Sequence, residues 1–265
     1  MKLSAIIPSW HDKYNKNTVE SMLENSELGD QLEIIVVQDG YYMPAEWIVD
    51  DPRVRYLHLG KNRGMRGAIN AGVAMAQGEF IARSDEHCSF GKGWDRILTD
   101  TCEPNWIVTA TRYFLDPVQW KVMDLPPVNF AKLVIGGTPE KFSAAPWKER
   151  DEEMKDVMIA ETMGMQGSFW LMPRAWWEKV IVELQTEGYG QLIQDSHEMI
   201  FKTWKAGGKM MLNKNTWHAH KHRSFARTHN NGTKENPAKQ DDGYKYALDV
   251  WREYFENEIK PAWKI

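Results

Sequence analysis

"NRGMRGAINAGVAMAQGEFIARSDEHC", residues 62–88, is the stretch on which the reading of the fold turns. Its part 63–78 is rich in Gly and Ala at helical spacing, which predicts a helix able to lie close on a sheet. "EFIARS" (79–84) then predicts a buried strand that ends on Asp85-Glu86-His87-Cys88. Upstream, "LSAIIP" (3–8) and "EIIVVQ" (33–38) read as continuous apolar strands around the helix "NTVESMLENS" (17–26), and "RVRYLHL" (53–59) as a third strand. Apolar strands alternating with helices predict an α/β fold, a mostly parallel sheet covered on both faces, with ligands at the carboxyl ends of its strands. Pro8-Ser9-Trp10, Gln38-Asp39-Gly40 and Ser84-Asp85-Glu86-His87 are then expected on one crevice.

Downstream, "GWDRILTDT" (93–101) predicts a helix and "WIVTAT" (106–111) a strand, followed by a long irregular region, 112–162, expected to act as a lid or acceptor platform. "GSFWLMP" (167–173) marks a return of order before the helices "RAWWEKVIVELQ" (174–185) and "QDSHEMIFKTWKAGG" (194–208). "KMMLN" (209–213) reads as a strand leading into "TWHAHKHR" (216–223). Residues 224–241 are polar and expected to be poorly ordered, and Tyr244, Leu248, Trp251, Phe255 and Ile259 sit at the spacing of an amphipathic C-terminal helix. One main domain, 1–223, followed by a polar segment and docked helix, 224–265, is the expected organisation.

A net charge of -4 over 265 residues excludes a wide basic shell for nucleic acid, though not a local patch. Two cysteines are too few for a disulfide framework. No stretch approaches the roughly 20 apolar residues of a membrane span, and "MKLSAIIPSW" lacks a signal-peptide core, so a soluble, cytoplasmic protein without membrane insertion is expected. Asn231-Gly232-Thr233 fits the N-glycosylation pattern, which in that setting is a chance match. Walker A, GxGxxG, GxSxG and CxxC patterns are all absent, so a nucleotide must be held by strand-end residues and a cation rather than a glycine cradle.

A divalent cation beside phosphates takes hard oxygen ligands and often imidazoles. On extended backbone Asp85 and His87 share a face while Glu86 turns aside, and His218, His220 and His222 alternate likewise, so a two-His, one-carboxylate set is the expectation. Asp195 and Glu198, three apart, share the first turn of the helix that opens near Gln194, at its positive end; these three are the candidate catalytic residues. As a plain helix cap, the acid pair is equally well explained.

The order "SAIIPSWHD", "EIIVVQDG", "NRGMRGAINAGVAMAQGEFIARSDEHC", "GMQGSFWLMPRAWW" and "QDSHEMIFKTWKAGG" resembles glycosyltransferases of the GT-A fold, family 2 and its relatives, over roughly residues 3–223. Within that superfamily the local match is to the polypeptide N-acetylgalactosaminyltransferases. Their Asp-x-His-Cys motif reads here Asp85-Glu86-His87-Cys88, followed by Gly93-Trp94, and their later His-x-x-Arg reads His220-Lys221-His222-Arg223. The resemblance implies that Asp85, His87 and His220 hold a manganese or magnesium ion bridging the diphosphate of a UDP-sugar donor, with His218 as the alternative third ligand. It further implies that Asp39 contacts the uracil or ribose and that the backbone at Pro8 and Ser9 shapes the base pocket. Arg63 or Arg66 would stand in for the family arginine replaced by Ile69, near Asn70, and Gly167 would lie on the wall near the donor sugar. Arg223 would add positive charge at the diphosphate.

Inverting family 2 enzymes carry an acidic pair at the start of the later helix, the second acid acting as base; here Asp195 takes the first place and Ser196 the second. Serine does not accept a proton at neutral pH as a carboxylate does, so retention is the favoured outcome, with inversion by Asp195 as base the alternative. The acceptor, a hydroxyl on a glycan, a protein or a hydroxymethylated base in DNA, is left open; residues 218–229 carry Lys221, Arg223 and Arg227 and no acid. A nucleotidyltransferase, or a nucleotide-sugar-binding protein without transfer, is the reading from another class.

Overall fold

The computed structural model describes residues 1–165, 167–222 and 237–265, apart from the side chains of 237–241. Arg223, the Asn231 sequon and most of the polar stretch 224–241 lie outside the described residues.

The four strands β1 (Leu3–Ser9), β2 (Leu32–Asp39), β3 (Val54–Leu59) and β4 (Phe80–Ser84) lie side by side and parallel, in the order β3-β2-β1-β4. Every residue of β2 is buried, which is why it reads as an unbroken apolar run rather than an alternating one. Of its two acids, Glu33 is satisfied inside by Ser4 Oγ at 2.5 Å and the Gln77 amide at 2.7 Å, and Asp39 ends the strand. Helix α1 (Asn15–Glu24) and helix α2 (Gly64–Met75) make the crossovers. The small residues of α2 let it approach the sheet: a Cβ on Gly72 would meet Ile6 Cγ2 at 2.5 Å.

Beyond β4 the sheet continues through β11 (Phe169–Pro173), antiparallel to both neighbours, to β6 (Trp106–Asp116), β12 (Lys209–His220) and the edge strand β10 (Ile159–Glu161). Short β5 (Cys88–Phe90) pairs with the end of β12, and β7 (Lys121–Val122) with the end of β6. Among the described residues ten strands thus form one mixed sheet, parallel through β3-β2-β1-β4 and between β6 and β12 and antiparallel at its other pairings, where a mostly parallel sheet was expected. Helix α3 (Trp94–Thr101) follows β5, and helix α6 (Asp195–Lys205) precedes β12.

Three elements differ from the sequence reading. The region 112–162 is not irregular: β6 runs on to Asp116, β8 (Ala131–Gly136) and β9 (Lys141–Pro146) form a hairpin, and α4 (Lys148–Glu153) precedes β10. Its prolines punctuate strands too short to show periodicity. The helix expected at 174–185 is one turn, α5 (Arg174–Trp176), widening into a π-turn over Trp177–Ile181. It stops at Val182, which has φ 63° and ψ -61° in a γ-turn closed by Glu183 N–H donating to Ile181 O at 2.7 Å. The strand expected at 209–213 extends to His220, past an irregularity between Asn213 and Trp217.

Helix α7 (Pro237–Tyr254) continues through a π-turn (Phe255–Ile259) and α8 (Lys260–Trp263). Ala247, Leu248, Trp251, Phe255 and Ile259 are buried in the same core as Met199 and Phe201 of α6, and Trp251 Nε1 donates to Tyr189 Oη at 2.6 Å. The C-terminal helix is therefore amphipathic and docked, as its spacing predicts. No helix among the described residues is long and apolar enough to cross a membrane.

Candidate active site

Parallel β1, β2 and β4 end on one edge, and the chain turns there through Asp85-Glu86-His87 into β5. β5 is fixed by α1: the Cys88 amide donates to Thr18 Oγ1 at 3.0 Å and the Phe90 amide to Ser21 Oγ at 3.0 Å. Its pairing sets His220 opposite Cys88 and His218 opposite Phe90, and the Lys221 amide donates to His87 O at 3.1 Å. Strand register alone thus carries a residue from near the end of the sheet to the turn after β4.

The result is a cluster in which ligand atoms of Asp85, His87 and His220 lie within 4.8 Å of one another. His87 and His220 face each other at 4.9 Å between ring centres. His218 is not in it: its Nε2 lies 3.0 Å from Ser168 Oγ and its ring packs on Phe169. Glu86 turns aside, as alternation predicts, and its carboxylate accepts from the Trp10 amide. Burial and the nearby Asp12 charge push the Glu86 carboxyl up to about 8. His87 Nδ1 is paired with Asp12 Oδ2 at 2.9 Å, which leaves Nε2 as its ligand atom.

The donor set fits a divalent cation. Burial holds the His220 imidazole down to about 4 against the pull of Asp85, so it is neutral and ligand-competent at pH 7. Both of its ring nitrogens are buried without a hydrogen-bond partner, although Nε2 is 3.1 Å from Asp85 Oδ2. Asp85 stays ionised: burial raises its pKa, but Arg83 and His220 beside it hold it well below the usual carboxylate range.

A cavity of about 280 Å³ opens beside the cluster, lined by Asp85 and His220 together with Gln194, Asp195 and His197. Gln194, left-handed at φ 57°, turns the chain into α6, and its Nε2 donates to Phe142 O at 3.1 Å. Asp195 is buried with Oδ2 unpartnered. Gly167 is on the wall, its carbonyl accepting from Arg83.

The other expected site residues divide. Ser9 Oγ is bonded to Tyr41 Oη at 2.6 Å at the end of β1, with Pro8 half-buried before it. Asp39 Oδ1 accepts from the Arg63 amide at 2.6 Å, and burial raises its carboxyl; the Arg63 residue itself is exposed.

Arg66 and Glu198 correct the reading. They form a fully buried ion pair, and Arg66 also donates to Gln185 O and Ile193 O while Glu198 takes Lys202. Neither lines the cavity where a diphosphate contact and a catalytic acid were expected of them. Asn70 is likewise occupied: its side-chain amide bonds both ways with the Leu184 backbone at 2.9 Å.

Sequence reasoning missed three residues. Arg83, two before Asp85 on β4, bridges Asp85 and Gly167 and was within reach of strand alternation. Asp12 and Arg112 carry no local signal, because each meets the site only through tertiary contact.

Comparison with known proteins agrees with this architecture. In mouse (Mus musculus), polypeptide N-acetylgalactosaminyltransferase 12 is 22% identical over 225 residues, covering 79% of this chain and 38% of its own length. The chain therefore spans well under half of that relative. A crystal structure of GalNAc-T7 with UDP, GalNAc and Mn2+ superposes with a TM-score of 0.76 at 13% identity, over 98% of this chain and 50% of that one. S. aureus TarS 1-349 in complex with UDP-GlcNAc gives 0.60 at 14% identity, over 97% of this chain and 68% of that one. These likenesses establish a GT-A-like fold. The model of glycosyl transferase family 2 matches residues 4–181, and the chain belongs to that family.

Proposed function

We propose that the protein transfers a sugar from a UDP-sugar to a hydroxyl acceptor in a divalent-metal-dependent reaction. The observation that carries this is the convergence of Asp85, His87 and His220 at the carboxyl edge of a family 2 fold, beside a cavity that Asp195 helps line. Manganese, or magnesium, would be held by these three residues, and when bound it offsets charge on the diphosphate leaving group. UDP is favoured as carrier because the GalNAc-T7 and TarS structures hold UDP and UDP-GlcNAc. Asp39 and the Pro8-Ser9 backbone, at neighbouring strand ends, are positioned for the nucleoside, and Gly167 for the sugar. The acceptor hydroxyl, on a glycan, a protein or a modified base, would approach Asp195 on the cavity wall. In this reading 1–223 is the transferase unit, 224–265 completes it, and the setting is the cytoplasm, in keeping with the free thiols Cys88 and Cys102.

The sequence favours retention, on Ser196 in the place of the second acid. Against that, the unpartnered oxygen of the buried Asp195 carboxylate supports inversion, with Asp195 taking the acceptor proton, and retention is kept as the second reading.

Incubation with manganese and a panel of UDP-sugars, followed by UDP release, tests the function. Slow UDP release is expected from the wild type, and none above background from any UDP-sugar would refute it. Once an acceptor is found, Asp195→Asn is expected to lower transfer at least about 100-fold, in the range of general-base removal, with UDP affinity unchanged. The anomeric configuration of the product then separates the two outcomes.

A further inference from the structure

The buried arginines of this fold come with counter-ions, Arg66 with Glu198 and Arg83 with Asp85. Arg112, on β6, does not. It is 5% exposed, lies in the wall of the Asp85–Asp195 cavity, and meets no carboxylate among the described residues. Its Nη1 contacts His222 Nε2, its guanidinium carbon lies 5.3 Å from the Phe114 ring centre, and its Nε has no hydrogen-bond partner.

Arginine cannot shed its proton to relieve such burial. Leaving the charge uncompensated is costly, and burial does press its pKa downward. A buried guanidinium whose Nε has no partner, on the wall of a cavity rather than in packed protein, is an arrangement that an incoming anion completes. The surplus is local: the Asp85 carboxylate on the same wall is already engaged by Arg83 and lies beside His220. Asp195 lines the same cavity and makes no ion pair with Arg112 among the described residues.

We propose that Arg112 is the anion-receiving residue of this cavity, its guanidinium taking an oxyanion of the substrate. The proposal rests on the transferase reading and deepens it. The oxyanion has two possible sources, the diphosphate of the donor or a phosphate or carboxylate on the acceptor.

Titration calorimetry on the full chain tests this with the wild type, Arg112→Met and Arg112→Lys, using three probes: uridine, UDP with manganese, and inorganic phosphate added to protein saturated with UDP and manganese. If the source is the donor, Arg112→Met is expected to bind UDP at least tenfold more weakly and uridine unchanged. If it is the acceptor, UDP affinity is retained and phosphate binding drops at least tenfold. Arg112→Lys, which keeps the charge but loses the planar fork, should recover part of either loss.

Arg112→Met is also expected to melt no lower than the wild type, because it removes an unpaired buried charge. Unchanged affinity of its folded fraction for both UDP and phosphate would overturn the proposal, whatever its melting temperature. A wild type that binds no UDP would instead count against the transferase reading, and phosphate added alone would then read Arg112 by itself.

Discussion

Asp12 closes the stretch SAIIPSWHD without being singled out there as a site residue, yet it orients His87. By pairing with Nδ1 it fixes the ring's tautomer and turns Nε2 toward Asp85 and His220. Burial raises the Asp12 carboxyl and His87 lowers it, and the net effect is downward, so it is ionised in the working range. Removal of such a supporting carboxylate typically costs about 10–100-fold in metal affinity. Asp12→Ala is therefore expected to weaken manganese binding by that factor with the melting temperature little changed, measured by calorimetric titration; unaltered affinity would make the contact incidental. Glu86 illustrates the opposite case, a carboxyl group between Asp85 and His87 in sequence that faces away and serves the Trp10 backbone.

Helix α6 is positioned from below by the Arg66–Glu198 pair, which ties α2 to the segment 185–193 and to the first turn of α6. Breaking a buried pair by removing one partner strands the other charge, at a cost of about 3–5 kcal/mol. Glu198→Gln is expected to lose stability on that scale in urea denaturation, and Arg66→Met with Glu198→Leu to recover much of it; a single variant as stable as the wild type would contradict this. The pair also marks where the sequence stops being legible. Spacing places Asp195 and Glu198 on one helical face, and both are indeed in the first turn, but spacing says nothing of depth: one acid ends in the cavity, the other under it. In the same way, apolar periodicity through 174–185 predicts a helix, while the backbone breaks at Val182. The strand ends and the Asp85–His87 turn were readable because parallel topology constrains them, whereas Arg112 and Asp12 depend on packing between segments far apart in the chain.

At the scale of the molecule, folding buries histidines in neutral form. His197, at the cavity end of α6, is pushed by burial from 6.5 down to about 4. Between those values the unfolded chain takes up a proton that the folded chain refuses, so stability is full above pH 6.5 and falls as the pH drops toward about 4. The loss at pH 5 is up to about 2 kcal/mol from this residue. His197→Phe, which can keep the ring contact with Phe142, is expected to narrow the gap between urea midpoints at pH 7 and pH 5; an unchanged gap would assign it elsewhere. The cation site is also a property of the whole fold, since β4, β5, β6 and β12 must be in register before His220 reaches Asp85 and His87. Manganese titration followed by electron paramagnetic resonance, on the wild type and on His87→Ala, His218→Ala and His220→Ala, measures that convergence directly. One bound ion per chain is expected in the wild type and in His218→Ala, with loss in His87→Ala and His220→Ala. Undiminished binding in His220→Ala, or no binding by the wild type, would contradict it.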